Sequence, residues 1–356
     1  MILNPGPVWV PDFVLDAIRK PVIHQRSSEF SVFFQELQEG LRYFFQTKNT
    51  VVSMPGSGTS GMESSIRSLF KQKDKVLVVS FGKFSSRWAA FSRISGLEVS
   101  ELKSENGKRS EPGEMIEAAK IAGKNLRGII LTHCETSTGA SIDVEQTAFL
   151  LRKEFPDILI IADAITSAGI LPFYTDNWEI DIAVAASQKS LLNPAGTVFI
   201  SVSQRAARTL SESFSEDAFN LSPYYFSALK NEYPFTPPTQ RLFGVLAALN
   251  KIQSETLPVI WNRTHRMSTL FRKGIVDLGG FVFPENPADS LTAFYFKTQT
   301  PEFLTHKLKK EFDIEISEGQ GDLKGQILRV AHFGAIGPEE MLTCLDSIRQ
   351  IIKGHL

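Results

Sequence analysis

Five apolar residues, Ile182-Ala183-Val184-Ala185-Ala186, run straight into Ser187-Gln188-Lys189 and then into a loop marked by Asn193-Pro194-Ala195-Gly196. An apolar run of this length, bounded by turn residues, reads as a short buried strand that ends by presenting one lysine. A lysine at the mouth of an apolar site loses solvation, which favours its neutral amine. A neutral amine can attack an aldehyde and form a Schiff base. A solvated loop lysine is the ordinary alternative, and the neighbours of Lys189 decide between the two.

The first neighbour is Asp163, the single acid closing the apolar stretch Leu159-Ile160-Ile161-Ala162. Such an acid serves as a helix cap or turn former in many chains. It is also the group that holds the pyridine nitrogen of pyridoxal phosphate (PLP) protonated, so that the ring withdraws electrons. The second is the loop Gly56-Ser57-Gly58-Thr59-Ser60-Gly61, which opens a helical stretch. Backbone amides, hydroxyls and the positive end of a helix dipole there suit a phosphate.

With these residues in place, the chain resembles a class V aminotransferase of PLP fold type I, close to the alanine–glyoxylate and serine–pyruvate group. The matching motifs run nearly end to end: Asn4-Pro5-Gly6-Pro7, Arg26-Ser27-Ser28-Glu29-Phe30, Gly56 to Thr59, Leu131 to Gly139, Asp163-Ala164, Ser187-Gln188-Lys189 and Leu328-Arg329-Val330. The resemblance implies a homodimer with shared active sites. Lys189 would carry PLP, with Asp163 at the ring nitrogen. Ser57, Gly58 and Thr59 would lie at the phosphate, Phe84 would stack on the ring, and Thr136 would reach the phenolic oxygen. Ile165 and Gln188 would be further cofactor contacts. Tyr233 and Thr236 would reach the phosphate of the partner's cofactor. Arg329 would grip the substrate α-carboxylate, with Gly6 near it. Gln25 stands where relatives often have a second histidine, so no histidine role is carried over. His133 reads as a hydrogen-bonded structural histidine, and Glu135, Ser137 and Thr138 as residues that shape a loop.

The 356 residues, 42% of them hydrophobic, can form one large α/β domain and a smaller one. Strands alternating with helical stretches such as Val144 to Phe155 point to a mostly parallel sheet. Residues 1–14 form a Pro-rich arm, expected to lie across the partner subunit. Residues 15–255 form the large PLP-binding domain, and 256–356 a small α+β domain. Ser222 to Gln240 reads as a loop. A net charge of −1 gives no electrostatic case for nucleic acid or an anionic membrane. Two cysteines make neither a disulfide framework nor a metal cluster. No apolar run approaches membrane-span length, and a cytoplasmic protein is expected.

The expected activity is transfer of an amino group from a small amino acid, alanine or serine, to a small 2-oxo acid, glyoxylate or pyruvate, with ping-pong kinetics. The alternatives are an aminoethylphosphonate-type transaminase, a PLP lyase such as a cysteine desulfurase, and a non-catalytic subunit with the same fold. A desulfurase usually has His where Gln188 stands, and a catalytic Cys in a mobile C-terminal loop.

Overall fold

The computed structural model describes residues 1–211 and 217–354. In chain order its first strands are β1 (Thr50–Gly56), β2 (Lys75–Ser80), β3 (Glu98–Lys103) and β4 (Leu126–Thr132). The short hairpin β5 (Cys134–Glu135) and β6 (Ala140–Ser141) follows, then β7 (Leu159–Asp163), β8 (Ile182–Ala186) and β9 (Gly196–Val202). Seven of them form the main sheet, in the order β1-β9-β8-β7-β4-β2-β3. Only β9 in this sheet is antiparallel to its neighbours, β1 and β8; the other pairings are parallel. β1 therefore runs in the same direction as β8. β7 and β8 are buried at every residue, as strands covered on both faces must be. β3 lies at the edge, and its residues are half-buried or exposed.

The smaller sheet is antiparallel and contains β10 (Phe281–Val282), β11 (Leu291–Tyr295), β12 (Ser317–Glu318) and β13 (Leu328–Ala331), ordered β10-β11-β13-β12. The helices Leu257–Asp277 and Pro338–Lys353 pack on it through Phe271, Ile275, Met341 and Ile348. The expected boundary at residue 256 needs adjustment at one helix. Leu257, Ile260 and Trp261 belong to the large core, whereas Met267 and Phe271 belong to the small one. One helix thus passes from one core into the other.

Two expectations change. Leu221–Ala228 within the expected loop is a helix, capped by the Asn220 side chain, which accepts from the Ser222 amide. Leu221, Tyr224, Tyr225 and Ala228 recur at helical spacing and are buried, and Pro223 falls in the first turn, where proline is tolerated. The N-terminal arm also docks on its own chain. Leu3 is fully buried in the small core; its amide donates to the Glu315 carbonyl at 2.8 Å and its carbonyl accepts from the Ala331 amide at 2.8 Å. Burial and ladder-like hydrogen bonds hold its first residues against the small sheet. Among the described residues no helix is long and apolar enough to cross a membrane.

Candidate active site

Strands running one way end at one edge of a sheet, where α/β sheets bind ligands. Here β1 leads into Ser57-Gly58-Thr59, β2 into Gly82-Lys83-Phe84, and β4 into His133 to Thr136. β7 ends on Asp163, and β8 leads into Gln188-Lys189. Register adds detail: Thr132 pairs with Asp163, and Asp163 with Val184. The loops also touch. A side chain on Gly58 would collide with Ile165, and one on Gly6 with the Lys189 amine.

The Lys189 amine donates to the Pro5 carbonyl. Burial, then the nearby Arg329 cation, bring its pKa down to about 8, against the opposing pull of Cys134 and Asp163. Burial pushes the Asp163 carboxyl up to about 6 despite two hydrogen bonds that favour its charged form. Those bonds come from the Trp88 indole at 3.0 Å and the Ile165 amide at 3.1 Å. Trp88 is fully buried and was missed as a site residue in the sequence.

Phe84, Arg87 and Trp88 lie on one face of the helix Lys83–Ile94, at positions i, i+3 and i+4. The Arg87 guanidinium sits 5.1 Å from the centre of the Phe84 ring and donates to the Thr59 hydroxyl at 3.1 Å. The first turn of this helix is held from outside by Glu135. That fully buried carboxyl accepts from the amides of Phe84 (3.2 Å), Ser85 (2.7 Å) and Ser137 (3.1 Å) and the hydroxyls of Ser85 (2.8 Å) and Ser137 (2.6 Å). Gly82 has no room for a Cβ because the Glu135 side chain and the Ser137 hydroxyl occupy that space. Beside Glu135, the Thr136 hydroxyl pairs with that of Thr166 at 3.0 Å, and Thr166 also reaches the Cys134 carbonyl at 3.2 Å.

Arg329 comes from β13 of the smaller sheet and is 3% exposed. Its guanidinium donates to the Glu318 carbonyl, through Nε at 3.0 Å and Nη2 at 2.7 Å, and to the Thr136 carbonyl through Nη1 at 2.8 Å. It forms no salt bridge among the described residues, and burial brings its pKa down to about 10, against the pull of Glu135.

A sequence model described as Aminotransferase class-V matches residues 14–330. The chain belongs to the class-V aminotransferases. It is 32% identical over 361 residues to a soluble hydrogenase small subunit of Synechococcus sp. (strain PCC 6716), covering 99% of this chain and 92% of that one. It is 29% identical to a serine–glyoxylate aminotransferase of Methylorubrum extorquens, over 95% of this chain and 87% of the other. Among solved structures, an aspartate aminotransferase of subgroup IV from Thermus thermophilus matches with a TM-score of 0.92 and 27% identity, over 100% of this chain and 99% of that one. The fold is PLP fold type I, and PLP is the cofactor of this family of enzymes.

Within this class-V aminotransferase the site gathers Lys189, Asp163, Ile165, Ser57, Gly58, Thr59, Phe84, Thr136, Gln188, Gly6 and Arg329 on neighbouring strand ends and loops. The Gln188 side-chain oxygen is buried without a hydrogen-bond partner among the described residues. Tyr233 lies apart from these loops, in the large core. It is 1% exposed, with its ring packed edge-on against Phe34 and Tyr224. Its hydroxyl is buried without a hydrogen-bond partner among the described residues. Thr236 is exposed. His133 packs against Phe173 and Trp178 with its Nδ1 unpartnered, and burial brings its pKa down to about 4. It is therefore a neutral, aromatic-packed structural residue whose Nδ1 makes no hydrogen bond among the described residues.

The Glu135 contacts make a prediction. Glu135→Gln would aim an amide N–H at groups that donate, leaving buried donors unmatched. The expected loss is about 1–3 kcal/mol of stability, read as a lower urea midpoint of the apoprotein. An unchanged midpoint would mean that the clamp contributes nothing.

Proposed function

We propose that this aminotransferase moves an amino group from a small amino acid, alanine or serine, to a small 2-oxo acid, glyoxylate or pyruvate. The observation that carries this reading is Arg329. A guanidinium has five N–H donors, and three are taken by backbone carbonyls, so one on each terminal nitrogen is left for a carboxylate. A planar fork of this kind binds a carboxylate through two parallel bonds. The glyoxylate named in the Methylorubrum relative is a small 2-oxo acid of the same sort.

The donor set suits the cofactor. Lys189 would hold PLP covalently, Asp163 would face its ring nitrogen, Phe84 its ring and Thr136 its phenolic oxygen. Gln188 and Ile165 would line the ring, and Ser57, Gly58 and Thr59 the phosphate. When bound, PLP withdraws electrons from the substrate α-carbon and makes its proton removable. Lys189, with its pKa lowered to about 8, is suited to take that proton as a free amine and to return it. The Trp88 indole and the Ile165 amide, donating to the Asp163 carboxyl, would hold it in place. Arg329 orients the substrate by its carboxylate, and the arm at Pro5-Gly6 keeps bulk away from the Lys189 amine.

A thiol-dependent lyase suits these residues poorly. Both cysteines are buried, and burial pushes Cys134 up to about 11 and Cys344 up to about 12. The name of the Synechococcus relative favours a second reading, in which the chain serves as a non-catalytic subunit. Purified protein with no visible absorption from PLP, and none after adding PLP, would support that reading over catalysis.

Three predictions follow from the main reading. Borohydride reduction of the PLP-loaded protein and peptide mapping should find the label on Lys189; label on another lysine refutes the assignment. The site should be completed by a second copy through the exposed Thr236. Mixing inactive Lys189→Ala with inactive Thr236→Asp chains should then restore activity, because a heterodimer has one intact site. A monomer that is fully active at the assay concentration rules this out. Arg329→Ala should lower kcat/KM for α-amino acids by about a hundredfold, since hydrogen bonds to charged partners contribute about 1.5–3 kcal/mol each. Arg329→Lys should also be impaired, for want of the fork. Amines lacking the carboxylate should be unaffected; equal losses for both substrates would assign Arg329 a structural role, and a wild-type preference for such amines would favour the phosphonate-type alternative.

A further inference from the structure

We propose that Arg87 is a further cofactor-binding residue, supplying the positive charge that holds the phosphate of PLP. The proposal rests on the PLP site described above and adds a residue to it. Ser57-Gly58-Thr59 opens the helix Gly58–Leu69, whose dipole and amides favour an anion. A phosphate carries close to two negative charges, more than the half-charge of a helix end offsets. Arg87 is placed to supply the rest. It comes from a different helix and donates to the Thr59 hydroxyl at 3.1 Å. It forms no salt bridge with any carboxylate among the described residues.

The hydrogen bond has a chemical consequence. Because the Thr59 oxygen accepts from Arg87, its one hydroxyl proton is free to be donated to an anion. Arg87 therefore orients Thr59 as a donor while bringing a cation to the same loop. Its guanidinium also lies 5.1 Å from the centre of the Phe84 ring, within cation–π range. This contact ties the residue expected at the cofactor ring to the loop expected at the phosphate. Arg87 lies one helical turn from Phe84, so a single turn of the helix Lys83–Ile94 presents both.

The test compares two ligands that differ only in the phosphate. Apoprotein is titrated with PLP and with pyridoxal, and binding is followed by absorbance rather than by activity. Arg87→Gln should weaken PLP by about tenfold to a hundredfold and leave pyridoxal within about twofold. Arg87→Lys, which keeps the charge, should lose less. Equal weakening of both ligands would mean that Arg87 acts only by packing on Phe84, and no weakening of either would mean that it does not contact the cofactor; both overturn the proposal. Wild-type apoprotein supplies an arm that needs no variant. Modification of Arg87 by phenylglyoxal, mapped by mass spectrometry, should slow with inorganic phosphate or PLP and not with pyridoxal. Labelling indifferent to phosphate would refute the charge contact even if Arg87→Gln fails to fold. Failure of wild-type protein to bind PLP at all would instead count against the cofactor reading itself.

Discussion

Glu135 is sealed from water and, among the described residues, has no cation hydrogen-bonded to it, and the arrangement of the site depends on how it is satisfied. A carboxylate in such a place needs a hydrogen-bond donor for each lone pair it exposes. It obtains them by reaching out of one loop into the first turn of the helix Lys83–Ile94 and back to Ser137. Those contacts fix the height and rotation of that helix. Phe84, Arg87 and Trp88 are then no longer independent. If the helix moved, the Phe84 ring, the Arg87 bond to Thr59 and the Trp88 bond to Asp163 would all shift together.

A second constraint joins the two sheets. Arg329 belongs to the small sheet, yet it donates to the Thr136 carbonyl in the loop after β4. The arm crosses the same gap. Leu3 lies in the small core, while the Val8 amide donates to the Gln188 carbonyl at 3.2 Å and the Lys189 amine to the Pro5 carbonyl. Removing a guanidinium from water is costly unless its N–H groups are bonded. Neutral carbonyls meet that need in part without neutralising the charge, so the cation remains available to an anion.

Much of this was legible in the sequence, for a physical reason. Strands covered on both faces are continuously apolar, so Asp163 and Lys189 stand out where β7 and β8 end. The sheet is mostly parallel, so residues at those ends had to converge. The main misses lay in side chains whose role depends on partners distant in the chain. Trp88 reads as an ordinary core aromatic until Asp163 is found beside its indole, and Thr166 carries no motif of its own. The helix Leu221–Ala228 was hidden by its polar, proline-containing surroundings, although Asn220 and the spacing of Leu221, Tyr224 and Ala228 could have signalled it. The burial of Tyr233 is likewise not legible locally. Its sequence neighbours, Glu232 and Pro234, say nothing of the aromatic pocket formed by Phe34 and Tyr224.

The electrostatics of Lys189 and Arg329 also couple binding to chemistry. After burial, the Arg329 cation is the next influence that lowers the lysine's proton affinity. On the proposed role of Arg329, a substrate carboxylate there would offset that positive field. Before that, the same field favours the neutral amine, the form able to bond to an aldehyde. Asp163 acts in the opposite direction on the lysine, and Trp88 fixes where its charge lies. Burial and the Arg329 cation thus lower the proton affinity of Lys189 together, while Cys134 and Asp163 raise it.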